Sequence, residues 1–305
     1  MSGPGTSTAG RAFVALQHLL PQHLLSRLIG RIARTRAGWI RVPLTRWFVR
    51  HYRPELSDAV NTDPLAYPSF NAFFTRALRP DARPVASGAE VIVSPVDGRI
   101  SASGVSAQGR LFQAKGQDYS LLSLLAGNEA LAARLRDGPF MTIYLAPFNY
   151  HRVHMALAGR LVGAWYVPGR LFSVNGTTAA LVPGLFARNE RVILEFASER
   201  GPHAIVLVGA LFVGSMATVW HGDIEPGRTD GVVPLPLPVA SASLEAGAEL
   251  GRFNMGSTVI LLLPRGAARW DDTMVESQPL RLGERIGCRS AAEGDTEGGT
   301  AAGPR

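Results

Sequence analysis

Four side chains in this sequence have the types and the company needed to activate a hydroxyl. Ser257 lies in Gly251-Arg252-Phe253-Asn254-Met255-Gly256-Ser257-Thr258, His151 and His154 in Tyr150-His151-Arg152-Val153-His154-Met155, and Asp97 in Ser94-Pro95-Val96-Asp97-Gly98-Arg99-Ile100. A carboxylate, an imidazole and a hydroxyl are the orienter, base and nucleophile of an activated serine, and Asp97, His154 and Ser257 supply one of each. Each residue also has a plainer reading. Asp before Gly is a common turn pair, and either histidine could be a core residue with a satisfied ring. Two histidines three apart could begin a metal site, yet no third ligand of matching spacing stands out, so no metal is expected. Gly214-Ser215 is a second Gly-Ser pair, and spacing alone does not choose between Ser215 and Ser257. Ser257 is also outside any Gly-x-Ser-x-Gly elbow, which argues against an ordinary α/β-hydrolase.

Two kinds of element must position these groups. After Pro80 the chain becomes a series of short Val-, Ile- and Leu-rich runs punctuated by Gly and Pro, which read as strands: 91–93, 141–145, 160–167, 191–196, 204–208 and 258–263. Asp97 follows the first of these, and Ser257 stands where a loop enters the last. One helix is expected to interrupt this mostly antiparallel core, over 121–136, where Leu121, Leu124, Leu125, Leu131 and Leu135 keep helical spacing. Val232 to Pro238 reads as a Pro-rich connector. Ahead of Pro80, Phe13, Leu16, Leu20, Leu24, Leu25, Leu28, Ile29 and Ile32 recur at three- and four-residue steps along one side of a helix that Pro21 kinks or splits. A second helix, Trp39 to Tyr52, interleaves Trp39, Trp47, Phe48 and Tyr52 with Arg41, Arg46 and Arg50. Arginine beside tryptophan suits a helix lying in a membrane interface, and equally a helix packed on its own domain with a solvated basic face.

The expected fold class is therefore α+β, with N-terminal amphipathic helices followed by a mostly antiparallel β-rich catalytic domain. The expected divisions are a disordered stretch over 1–10, helices over 11–60, a catalytic domain over 61–288 and a disordered tail over 289–305. The 305 residues carry a formal charge of +7, but nine arginines and no acidic residue fall before Glu55, so the remainder is slightly acidic. That distribution excludes a basic nucleic-acid groove in the body and points the basic segment at an anionic surface. No apolar run reaches the roughly 20 residues of a membrane-spanning helix, and the N-terminus lacks the layout of a signal peptide. The single cysteine, Cys288, excludes an internal disulfide and reads as a buried, inert thiol. The single lysine, Lys115, is the only residue on which a pyridoxal aldehyde could be held, so pyridoxal chemistry is disfavoured.

Several segments, in order and spacing, resemble the phosphatidylserine decarboxylase proenzyme family, in its pyruvoyl-dependent prokaryotic form. They are Phe73-Phe74-Thr75-Arg76 with Arg83-Pro84, Ser94 to Gly98, Tyr150 to His154, Phe172-Ser173-Val174-Asn175, Asn189-Glu190-Arg191-Val192, Val208-Gly209-Ala210 with Val213-Gly214-Ser215, and Phe253 to Ile260. The resemblance covers roughly residues 70 to 265. It implies a relay of Asp97, His154 and Ser257 that cuts the chain between Gly256 and Ser257, and it gives His151 a role in decarboxylation. Ser257 would become a covalent pyruvoyl group that engages the substrate amine as a Schiff base. The large chain, 1–256, would stay with the small chain, 257–305, and convert phosphatidylserine to phosphatidylethanolamine and carbon dioxide.

The implied location is the cytoplasmic side of the cell membrane, peripherally bound, and a homo-oligomer is compatible with the sequence. Three positions depart from the family pattern. Met255 replaces a more usual Leu, a volume-conserving change. Asn149 stands where some members have Asp, so no carboxylate role transfers there. Ala156-Leu157-Ala158 replaces a Pro-containing turn. Two other classes compete: a serine hydrolase using the same three residues without self-cleavage, and a lipid-binding β protein without catalysis.

Overall fold

Alternation along the strand Ser257–Leu262 decides how the chain is layered. In the computed structural model, which describes residues 7–114, 117–199, 201–212, 215–224, 231–238 and 243–290, this strand is wholly buried. Val259, Leu261 and the following Leu263 join one apolar cluster, while Ile260 and Leu262 join another. Successive side chains leave a strand on opposite faces, so two cores sandwich one sheet. Residues 1–6 and 291–305, most of the two stretches expected to be disordered, lie outside the described residues, as does Lys115.

Among the described residues the sheet has nine strands, all antiparallel. Across it run Val233–Pro234, Gly159–Val167, Arg191–Ser198, Gly201–Val208, Ser257–Leu262, Pro139–Leu145, Gly98–Val105 and Pro279–Leu280, with Ser243–Leu244 beside Gly159–Val167. Ser257–Leu262 is therefore interior, hydrogen-bonded to Gly201–Val208 on one side and Pro139–Leu145 on the other. A smaller sheet orders Gly222–Ile224, Met216–Thr218, Glu249–Phe253 and Arg152–His154. The expected strands are all present. The single helix expected over 121–136 is two, Leu121–Leu124 and Glu129–Leu135. Ala126 and Gly127 between them take positive φ (56° and 83°), and the Asn128 side chain caps the second helix by accepting from Leu131 N. Such a left-handed pair stops one helix and Asn starts another.

Three helices precede the sheet: α1 (Thr8–Leu19), α2 (Gln22–Arg34) and α3 (Gly38–Tyr52). Pro21 separates the first two, as expected. Helix α1 starts earlier than Arg11 because the Ser7 hydroxyl accepts from Gly10 N at 3.1 Å and caps it. A short α4 (Phe70–Phe74), capped by Ser69, brings Phe70, Phe73 and Phe74 against Phe48 of α3 and Ala33 of α2. No helix of the described residues is long and apolar enough to cross a membrane.

Candidate active site

Pairing between two short strands sets the histidine segment beside the strand that leads into the serine. Glu249–Phe253 runs antiparallel to Arg152–His154, with Glu249 opposite His154 and Arg252 opposite Arg152, and Phe253 N donates to His151 O at 2.9 Å. Only Asn254, Met255 and Gly256 then separate this strand from Ser257, which begins the interior strand of the large sheet opposite Leu145. Gly256 has φ +25°, and a Cβ placed there would touch nothing within 4 Å. Glycine is required here by backbone conformation and not by lack of room. Ser257 is fully buried and its Oγ has no hydrogen-bond partner among the described residues. Ser215, the competing serine, is fully engaged: its Oγ accepts from Asn254 Nδ2 at 2.5 Å and from Arg34 Nη2 at 2.7 Å.

The two histidines differ in how their rings are held. His154 Nδ1 lies 2.8 Å from Gly247 O, and a carbonyl only accepts, so Nδ1 carries the proton. Nε2 is then an acceptor, 3.3 Å from the Tyr150 hydroxyl. Burial holds the His154 pKa below its ordinary value, partly countered by the bond to Gly247 and by the charges of Glu249 and Asp97. The ring is thus a neutral base near pH 7 with its lone pair on Nε2. His151 is fully buried, stacked on Phe74 with centroids 4.0 Å apart, and its Nε2 donates to Pro147 O at 3.3 Å. Its Nδ1 has no partner among the described residues, and burial lowers its pKa to about 3.

Asp97 is placed differently from the orienter the sequence suggests. Its carboxylate accepts from Arg83 Nε at 3.0 Å and Nη2 at 2.7 Å, and from Leu282 N at 2.8 Å. Arg83 in turn bridges to Asp58 at 2.6 Å. Among the described residues no hydrogen bond joins Asp97 to His154 or His154 to Ser257. Asp97 reaches His154 through its charge, while the Gly247 carbonyl sets the tautomer. Asp97 and Tyr150 both line a cleft of about 680 Å³, together with Arg76, Arg83, Arg99 and Arg281. Asn149 also lines it, and its Oδ1 accepts from Ala146 N at 2.8 Å as a turn residue does. No group of three or more His, Cys, Asp or Glu among the described residues could hold a metal ion.

Sequence alone marks none of Tyr150, Arg83, Gly247 and Asn254 as a site residue. Tyr150, Arg83 and Asn254 lie inside the family-like segments, where their types alone mark nothing. Gly247 contributes only a carbonyl, which every residue has.

The arrangement combines a buried serine hydroxyl with no partner among the described residues, a glycine of positive φ before it, and a neutral imidazole on the strand paired to the one that leads into it. The family model described as phosphatidylserine decarboxylase matches residues 70–288, and one described as PSD matches residues 12–53. The chain is 50% identical over 279 residues to the phosphatidylserine decarboxylase proenzyme of Pseudomonas entomophila (strain L48), covering 90% of this chain and 97% of that one. It is likewise 50% identical over 279 residues to the proenzyme of Acidovorax ebreus (strain TPSY), with 92% and 98% covered. The match to the Chromobacterium violaceum proenzyme is 50% over 277 residues. The chain belongs to the phosphatidylserine decarboxylase family, and it is a carboxy-lyase.

Proposed function

We propose that the chain cuts itself between Gly256 and Ser257, turns Ser257 into a pyruvoyl group, and then converts phosphatidylserine to phosphatidylethanolamine and carbon dioxide at the membrane surface. The observation that carries this reading is the Ser257 hydroxyl, buried without a partner beside a glycine at φ +25°. Buried polar atoms are almost always paired, and an unpaired nucleophile next to a backbone turn that only glycine takes readily is a candidate for a group held for reaction. The buried hydroxyls of Ser106, Tyr119, Thr142 and Thr258 are also unpaired among the described residues, but none of them directly follows a glycine of positive φ.

In self-cleavage, Ser257 Oγ attacks the Gly256 carbonyl carbon as His154 Nε2 takes the hydroxyl proton. The peptide nitrogen leaves and takes a proton, so an ester replaces the amide. Loss of the Ser257 Cα proton then breaks the Cβ–Oγ bond, releasing the large chain with a Gly256 carboxylate and leaving a dehydroalanine at position 257. Water hydrolyses its imine tautomer to a ketone and ammonia. The Asp97 and Glu249 charges stabilise the imidazolium that forms at His154. The mature pyruvoyl group supplies a carbonyl electron sink for the electron pair that carbon dioxide leaves behind. His151, neutral and with Nδ1 free, is assigned to proton handling in that step.

Small and large chains remain joined by strand pairing, because 257–262 pairs on both sides with large-chain strands, and Pro279–Leu280 and Arg285–Arg289 pair with Gly98–Val105 and Val91–Val93. Leu16, Leu19, Leu24, Leu28, Trp39 and Trp47, exposed on α1–α3 among the N-terminal arginines, support peripheral attachment to the anionic cytoplasmic face of the cell membrane. The reading is tested by intact mass. Purified wild type should give two chains split after Gly256, the smaller blocked by pyruvoyl, and Ser257→Ala should give one uncut, inactive chain. An uncut wild type that decarboxylates the lipid, or that takes a fluorophosphonate label on Ser257, overturns it.

A further inference from the structure

Self-cleavage needs the Ser257 oxygen and the Gly256 carbonyl carbon held at reacting distance, and the two sides of that bond are held by different means. Downstream, Ser257 is fixed by the interior strand. At Gly256 itself an added Cβ would meet nothing within 4 Å among the described residues. Upstream, the fixed point is Asn254, which is 1% exposed. Its backbone N donates to Ser215 O at 3.0 Å, its Nδ2 to Ser215 Oγ at 2.5 Å and Asp223 Oδ1 at 3.3 Å, and its O accepts from Asn71 Nδ2 at 2.9 Å. Ser215 and Asp223 are themselves gripped from outside the sheets. Arg34, the last residue of α2, donates through Nη2 to Ser215 Oγ at 2.7 Å and Asp223 Oδ2 at 3.2 Å.

The rest of α2 is docked by polar contacts to the same body. Gln22 Oε1 accepts from Leu171 N at 2.8 Å, and Ser26 Oγ accepts from Phe212 N at 3.2 Å. The helix therefore has a fixed seat, and Arg34 is where that seat meets the segment that is cut.

We infer that Arg34 is a positioning residue for self-cleavage: through Ser215 and Asp223 it locks Asn254, and so places the Gly256 carbonyl for attack by Ser257. The inference rests on the self-cleavage reading. It acts through Asn254, so substituting either end must break the same lock, and the two losses must not add.

The test is the time course of conversion of freshly synthesised full-length precursor into two chains. Arg34→Ala slows conversion about tenfold and Asn254→Ala about a hundredfold, the range that a small misplacement of reacting atoms commonly costs. The double variant is within about twofold of Asn254→Ala alone. Arg34→Lys, which keeps a donor but not the fork, recovers part of the rate lost in Arg34→Ala. Ser215→Ala, which deletes one oxygen, slows conversion as well and keeps the link testable if Asn254→Ala misfolds.

Each substitution is repeated in the Ser257→Ala background, where no chain is cut, and the thermal midpoint there stays within about 3 °C of the parent. Wild-type rates in Arg34→Ala and Ser215→Ala, additive losses in the double variant, or rates that fall only as the midpoint falls each overturn the inference alone. A wild-type chain that stays intact overturns the self-cleavage reading and takes this inference with it.

Discussion

The β sheet and the N-terminal helices bury opposite kinds of side chain. In the sheet, Val259, Leu261 and their neighbours turn inward on both faces, and the interior strand exposes nothing. On α1 and α2 the residues turned inward are Gln17, Gln22 and Ser26, each almost fully buried, beside only small apolar ones, Gly10, Val14, Gly30 and Ala33, while Leu16, Leu19, Leu24 and Leu28 face out, Leu19 at 83% exposure. In α2 the buried positions 22, 26, 30 and 33 and the exposed leucines at 24 and 28 are offset by two residues, a little over half a turn, so they occupy opposite faces. The buried amides are matched to main chain: Gln17 Oε1 accepts from Ser173 N at 2.7 Å, and Gln22 Oε1 accepts from Leu171 N at 2.8 Å. The sheet is held by apolar area, whereas the seat of α1 and α2 adds directed hydrogen bonds to the small apolar contacts of Val14 and Ala33. Hydrogen bonds fix a helix in one seat without using its apolar face, which stays free for another surface.

The contrast is most severely tested from the sheet side. In the uncut Ser257→Ala background, Leu261→Ala should cost about 2–5 kcal/mol in denaturant unfolding, because it empties space between close-packed layers. A loss under about 1 kcal/mol would mean that the sheet faces relax freely and are no tighter than the helix seat. From the helix side, Gln22→Leu removes the acceptor for Leu171 N and the donor to Gln17 O at 2.8 Å. Leaving that buried N–H unpaired should cost about 1–3 kcal/mol despite the added apolar surface. A neutral or stabilising result would show that apolar burial, not hydrogen bonding, seats α2.

How much of this was legible in the sequence divides along the same line. Three- and four-residue spacing located the helices, and Pro21 marked the break between them. The apolar stripe on its own, however, would ordinarily be turned to the core. What sets its direction is the match between Gln17, Gln22 and Ser26 and main-chain N–H groups at 173, 171 and 212, which no local pattern encodes. Strands rich in Val and Ile were legible. The strand Gly98–Val105 was not, because its Gly, Ser and Ala residues carry no β signature. At the candidate site the chemically distinctive residues, Ser257, His151, His154 and Asp97, could be picked out by type and by resemblance. Their holders were hidden. His154 is oriented by a backbone carbonyl, and Asp97 is claimed by Arg83, fourteen residues upstream, through a pairing that only the fold creates.

The smallest expected effect on folding comes from the face the helices leave outward, and it is the one that says what that face is for. Leu24→Gln, Leu28→Gln and Ile32→Gln together replace a stripe that is 60%, 52% and 40% exposed. Gln is close to Leu in helix propensity, and exposed substitutions usually change stability by no more than about 0.5 kcal/mol each. Unfolding in the uncut background should therefore stay close to the parent. Cosedimentation with vesicles containing phosphatidylglycerol should instead fall sharply, because binding by an interfacial helix scales with the apolar area it inserts, while Arg27 and Arg31 remain to supply only the electrostatic part. If binding persisted at wild-type level and vanished in high salt, the arginines alone would hold the protein to the membrane. The outward stripe would then need another explanation. If unfolding shifted as much as in Gln22→Leu, the stripe would be part of the seat, and the two regions would be built alike after all.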